Sequence, residues 1–373
     1  MTDHLLAGTG PGGRALYDRR RDERDACGIG FVADVHGRAS RAILDAALGG
    51  LERLRHRGAV AADARTGDGA GVLLPLPAEL LAGPEAEGPA GRFGVAMAFL
   101  PRDLEDAKEA RRVVEQALVA ERLELLRWRP VPVDHAALGD VARASAPAIE
   151  QAVFRTDADE GEAERRCFRA GRRAALAAGA AGVALYLASC STRTVTYKAL
   201  CAADQLAAFY PDLADPSFAV AFAVFHQRYS TNTAPSWERA QPFRFLCHNG
   251  EINTLDGNVA WMRAREGHLG AGELDEELLR PLLEPDGSDS AKLDNAVELL
   301  VRGGRDLRHA LAMLVPAVEP SAEDRDRQDL RDFYRYHACL TEPWDGPAGL
   351  VFTDGRRVGA ALDRNGLRPL RWE

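Results

Sequence analysis

The chain has 373 residues, enough to bury a sizeable core in one large domain or two smaller ones. Its formal charge is -9, with acidic groups spread throughout and only Lys108, Lys198 and Lys292 supplying ammonium groups beside abundant arginine. This excludes the basic stripe of a phosphate-backbone binder, so nucleic acid is not an expected partner. The longest uncharged run, 174–192, is mostly Ala, Gly and Ser and too weakly apolar for a membrane span. No charged, apolar, small-residue signal opens the chain. The six cysteines show no Cys-x-x-Cys and the nine histidines no i, i+4 pair. A reduced, cytoplasmic protein without a metal site is expected.

In chain order, residues 1–26 carry nine Arg, Asp and Glu residues between Arg14 and Asp25 and almost no apolar pattern. They read as a removable leader before a domain running from 27 to 373. Cys27 then heads the run Cys27-Gly28-Ile29-Gly30-Phe31-Val32-Ala33, a strand with Ile29, Phe31, Ala33 and Val35 on one face. Arg41 to Arg55 has helical spacing after a possible Ser40 cap. Gly67 to Gly71 makes a tight loop before a strand from Val72 to Leu76. A strand is expected from Phe93 to Leu100 and a long helix from Leu104 to Leu126. The Pro- and Ala-rich stretch Arg129 to Pro147 and the acidic stretch Asp157 to Glu164 read as surface segments. Val183–Ala188 and Thr194–Ala199 read as a hairpin. Phe218 to His226 is apolar on both faces, as a strand inside layered architecture would be. A strand from Phe243 to Cys247 ends at Asn249-Gly250. Helices follow at Asn253–Glu266, Ala291–Val301 and Asp306–Leu314. The strands Leu350–Thr353 and Arg357–Leu362 flank Asp354-Gly355, a hairpin signal.

Five clusters stand out from this background. They are Cys27-Gly28-Ile29-Gly30, His56-Arg57-Gly58-Ala59, His226-Gln227-Arg228-Tyr229-Ser230-Thr231-Asn232, Cys247-His248-Asn249-Gly250-Glu251-Ile252-Asn253 and Ser288-Asp289-Ser290. Together they resemble the class II glutamine amidotransferase domain, an N-terminal nucleophile hydrolase. Within that group the likeness is greatest to the glutaminase domain of the glutamate synthase large subunit. Thr66-Gly67-Asp68-Gly69-Ala70-Gly71, Glu342-Pro343-Trp344-Asp345-Gly346-Pro347 and Leu362-Asp363-Arg364-Asn365-Gly366-Leu367-Arg368-Pro369 extend it in order to Pro369.

The resemblance implies an α+β fold, a four-layer αββα sandwich of two mostly antiparallel sheets. It also implies hydrolysis of the glutamine side-chain amide through a Cys27 thioester. A cysteine that becomes the first residue gains a free α-amine titrating near about 8, so nucleophile and base are one residue. Asn249 and Gly250 would form the oxyanion hole, although Asn-Gly is also the favoured two-residue hairpin turn. Arg228, with Thr231 assisting, would hold the α-carboxylate of glutamine and Asp289 its α-ammonium. A solvated strand end and a helix N-cap are the plainer roles for Arg228 and Asp289. Arg57 would order the site beside Cys27 or serve as a surface charge. Asp68 reads as loop chemistry.

The resemblance places FMN and the iron–sulfur cluster of glutamate synthase outside this chain, which itself is expected to carry no cofactor. A strand is expected to begin after Leu367-Arg368-Pro369 just as the chain ends at Glu373, so the domain is expected to lack its final strands. The expected partners are glutamine and a glutamate synthase synthase domain or subunit. A stand-alone glutaminase subunit feeding another acceptor, or a catalytically silent glutamine-binding or assembly module, is the alternative.

Overall fold

Apolar alternation in the first strand and apolar runs in several later ones build a layered core in the computed structural model, which describes residues 28–77, 80–81, 91–230, 234–269, 276–318 and 326–373. The expected leader 1–26, Cys27 and Thr231 lie outside the described residues. In chain order the strands are β1 (Ile29–Ala33), β2 (Ala70–Pro75), β3 (Arg92–Leu100), β4 (Glu124–Pro130), β5 (Ala148–Thr156) and β6 (Tyr186–Ser191). They continue with β7 (Thr194–Ala199), β8 (Phe222–Gln227), β9 (Leu246–Gly250), β10 (Ala348–Thr353) and β11 (Val358–Leu362). The longer helices are α1 (Arg41–Arg53), α2 (Leu104–Ala120), α3 (Glu160–Ala181), α4 (Leu255–Glu266), α5 (Asp289–Arg302), α6 (Leu307–Leu314) and α7 (Gln328–Ala338).

One sheet runs β1-β8-β2-β7 and a second runs β11-β10-β9, every pairing antiparallel. Leu73, Val224, Cys247 and Val351 pack between these sheets with Ile29, Phe31, Val358 and Ala360. Outside the first sheet, Leu44, Ala47 and Leu51 of α1 meet Val72, Ala223 and Phe225. Outside the second, Leu293 and Val297 of α5 and Leu311 of α6 meet Leu246, Leu350 and Phe352. Helix, sheet, sheet and helix give the four αββα layers expected. Gly30 is needed in β1 because a Cβ there would stand 2.5 Å from the Phe225 ring. A third antiparallel sheet, β4-β5-β3-β6, carries α2 and α3 on one face. Its other face adds Met97, Phe99 and Ile149 to the α1 core.

Several expected elements differ. The helix from Leu104 ends at Ala120, where Arg122 takes a positive φ of 56° and the chain turns back as β4. Leu118, Leu123 and Leu125 fit helical and extended spacing alike, so pattern could not place that break. The stretch from 129 is no surface wrap: it finishes β4, and Val131, Leu138, Ala142 and Ala146 are buried. Strand β5 was hidden by Glu150 and Gln151, which interrupt its apolar run yet are buried with partners. Arg111 grips Glu150 at 2.5 and 2.8 Å. The Asp157–Glu164 stretch opens α3, capped by Asp159 and burying Glu164. The expected strand at 183–188 lies at Tyr186–Ser191 and forms no hairpin with β7, because β6 pairs with β3 and β7 with β2 in different sheets; the strand expected at 218–226 lies at Phe222–Gln227 and that at 243–247 at Leu246–Gly250. Helix α7 had no counterpart in the reading of the sequence. Among the described residues no helix is long and apolar enough to cross a membrane.

Candidate active site

β1 and β9 approach each other where β8 ends, and Asn249 of β9 reaches the start of β1. Gln227 N donates to Gly28 O at 2.7 Å. A Cβ on Gly28 would stand 2.4 Å from Gln227 O and 3.0 Å from Asn249 Nδ2. The Asn249 amide nitrogen therefore abuts the residue that follows Cys27 in sequence. Its orientation is determined: Arg368 Nη2 donates to Asn249 Oδ1, and Arg368 Nε to Asn249 O at 3.3 Å. A guanidinium only donates, so the amide oxygen must face Arg368 and the NH2 must face Gly28.

Asn249-Gly250 forms no two-residue turn. Both residues pair with β10, Asn249 opposite Gly349 and Gly250 opposite Ala348. Gly250 has φ +132° and a Cβ there would lie 1.7 Å from Pro347 O. Only glycine fits so close a backbone crossing.

Arg228 lies one residue beyond β8 and is 5% exposed, so it is not a solvated strand end. Its backbone N donates to Gly69 O at 2.8 Å. Burial lowers the guanidinium's pKa, and the carboxylates of Asp68 and Asp289 oppose that shift. Asp68 is more than a loop former, because its Oδ2 accepts from Ser230 N at 2.6 Å and anchors the segment after Arg228.

Ser288, not Asp289, caps α5, its hydroxyl accepting from Ala291 N at 3.2 Å. Asp289 begins the helix. Its Oδ2 accepts from Ile252 N at 3.1 Å, and its Oδ1 from Ser290 N at 2.6 Å and Ser290 Oγ at 3.1 Å. Ser290 Oγ lies 2.9 Å from His248 Nδ1. His248 N donates to Gln241 Oε1 at 2.8 Å, and His226 Nε2 contacts His248 O at 3.1 Å. Burial pulls both imidazoles down, His226 to about 3, so both are neutral near pH 7.

These residues surround a cavity of about 200 Å³, lined among others by Arg228, His248, Asn249, Gly250, Asp289 and Ser290. That is below the roughly 300–1,000 Å³ of drug-sized pockets and suits a small polar molecule. A buried cation, a carboxylate and an amide donor around one cavity can take up a zwitterion and a polarised carbonyl. Arg57 is exposed, does not line the cavity, and donates from Nε to His56 Nε2 at 3.1 Å. No role was read from the sequence for Gln241, His248, Ser290 or Arg368. Arg368 stands 119 residues from its partner, and Ser290 was singled out only as a member of the Ser288-Asp289-Ser290 cluster.

Residues 27–373 match the family Glutamine amidotransferases class-II. The chain is 42% identical to the glutamate synthase [NADPH] large chain of Bacillus subtilis, over 97% of this chain and 24% of that protein. It is 44% identical to ferredoxin-dependent glutamate synthase 2 of Synechocystis, over 94% and 23%. With glutamate synthase [NADH] of Saccharomyces cerevisiae it shares 42% identity, over 97% and 18%. It thus spans about a quarter or less of the length of these relatives. With its layers, its cavity and a family match across nearly its whole length, the chain belongs to the class II glutamine amidotransferases.

Proposed function

We propose that the protein hydrolyses glutamine to glutamate through a Cys27 thioester, once residues 1–26 are removed, and that its ammonia serves glutamate synthesis. The observation that carries this reading is the Asn249 amide, turned by Arg368 so that its donor meets Gly28 beside Cys27. The freed α-amine of Cys27 takes the thiol proton and the thiolate attacks the side-chain carbonyl carbon of glutamine. Asn249 Nδ2 and the Gly250 N–H hold the oxyanion. The carbon–nitrogen bond breaks as the α-ammonium returns its proton, and ammonia leaves. Water then cleaves the thioester, giving glutamate and restoring the thiol.

Arg228, with Thr231, holds the α-carboxylate of the substrate and Asp289 its α-ammonium; Arg57, exposed and turned to His56, serves as a surface charge. The relatives are named glutamate synthases, so we assign the ammonia to a synthase domain or subunit of that kind. FMN and iron–sulfur chemistry belong to that partner, and the reaction to the cytoplasm, where a thiol stays reduced. The test is intact mass combined with activity. Expected are a chain starting at Cys27, glutamate release from glutamine, and loss of that release in Cys27→Ala. An active preparation with Met1 still attached would overturn the mechanism. Cleaved protein that binds glutamine without hydrolysing it would favour the silent binding module.

A further inference from the structure

We propose that the Ser290–His248 contact is the ruler by which this site recognises the length of its substrate, making Ser290 and His248 positioning residues for glutamine. The inference rests on the reading above, in which Asp289 takes the α-ammonium and Asn249 the amide oxygen. Asp289 and Ser290 are consecutive at the start of α5, and His248 and Asn249 are consecutive at the end of β9. The group holding one end of the substrate and the group holding the other are therefore joined by two covalent steps and one 2.9 Å contact.

The chemistry of that contact leaves little freedom. Ser290 Oγ lies 3.1 Å from the Asp289 carboxylate, 2.9 Å from His248 Nδ1 and 3.3 Å from Gln241 Nε2. A hydroxyl has one proton, and a carboxylate is its strongest acceptor. Ser290 thus donates to Asp289 and accepts from His248 Nδ1–H and Gln241 Nε2–H, which uses its donor and both lone pairs. Gln241 also takes the backbone N–H of His248 at 2.8 Å, so one amide grips both partners. His226 donates from Nε2 to His248 O, closing the backbone from the far side. His226, Gln241, His248 and Ser290 are all buried, so these bonds form in a largely desolvated setting, where each is stronger than in water. Asp289 and Asn249 consequently move as one unit, and their separation is a fixed length.

A fixed length discriminates. Asparagine is one methylene shorter than glutamine and cannot fill both ends of such a site; one methylene commonly changes kcat/KM by roughly 10–200-fold. Misplacement of a reacting group by about 1 Å costs on the order of 100-fold in rate.

The test compares kcat and KM for L-glutamine and L-asparagine in the mature wild type and in Ser290→Ala, Ser290→Thr and His248→Phe, each checked for native circular dichroism. Ser290→Ala and His248→Phe should each lower the preference for glutamine at least about tenfold, mainly through kcat. Ser290→Thr keeps the hydroxyl and should keep the preference. A purely structural role would lower stability without changing the ratio between substrates. An unchanged preference in a folded Ser290→Ala or a folded His248→Phe overturns the ruler. Wild-type protein without glutaminase activity would instead overturn the underlying reading, and the ruler with it, before any variant is compared.

Discussion

Arg368 does for Asn249 what no neighbour in sequence does: it occupies the amide oxygen and leaves the NH2 toward Gly28. Removing that guanidinium lets the amide rotate, so Arg368→Ala should lose kcat while KM changes little. On the role proposed for Asn249, loss of one oxyanion donor would cost about 10²–10³ in kcat, and the Arg368 variant should fall short of that because Asn249 remains. An unaltered kcat, measured as glutamate released at saturating glutamine, would place the orientation elsewhere. Gly250 answers to sterics first. With φ at +132° and Pro347 O where its Cβ would lie, Gly250→Ala should destabilise the fold by more than about 1 kcal/mol. Thermal melting checks this, and an unshifted midpoint would contradict the crossing described for β9 and Pro347.

At the scale of elements, β9 and α5 carry the site, and their junction depends on uncharged histidines. His226 titrates at about 3 in the folded protein, against an ordinary value of 6.5. Below pH 6.5 the unfolded chain takes up a proton that the folded chain refuses, so stability is lost progressively as pH falls from there toward 3. Replacing the imidazole by a neutral amide in His226→Gln should flatten this decline, read as the difference between urea midpoints at about pH 7 and about pH 4.5. An equal decline in both proteins would mean that acid sensitivity arises from other groups. The apolar strands and the glycine-bounded motifs of this region were legible in the sequence, because alternation and backbone crossings leave marks in residue type. β4, β5 and the start of α3 were not. Their buried Glu150, Gln151 and Glu164 look like surface residues until their partners, distant in sequence, are brought to them. The site shows the same divide: Asn249, Gly250 and Arg228 stood in recognisable motifs, whereas the Ser290–His248 and Arg368–Asn249 pairings exist only in three dimensions.

Across the whole molecule, α5 links the second sheet, on which it packs, to α3, which covers the third. Its first turn carries Asp289 and Ser290 at the cavity, and its last residue, Arg302, reaches Glu164 of α3 at 2.8 Å. Glu164 also accepts from Ser191 Oγ at 2.9 Å and from Thr192 N and Oγ1 at 2.7 and 2.8 Å, so one carboxylate ties α3 to the β6–β7 turn and to α5. Burial raises its pKa, but Arg302 and the Thr192 donors outweigh this and hold it below the ordinary carboxylate range. Arg302 lies over the Phe245 ring at 4.9 Å, just before β9 begins, so the same junction borders the strand that holds Asn249. Removing one partner of a buried ion pair strands the other, at a cost of about 3–5 kcal/mol, whereas replacing both by apolar groups is often nearly neutral. Glu164→Ala should therefore lower the unfolding free energy by about that amount or more, and adding Arg302→Met should restore the part owed to the stranded guanidinium, the Ser191 and Thr192 donors still lacking their carboxylate. Urea denaturation of the single and double variants decides the matter. A single variant within about 1 kcal/mol of the wild type would show that α5 is held by its apolar face alone, with Leu293 and Val297 sufficient to place the helix and the site it carries.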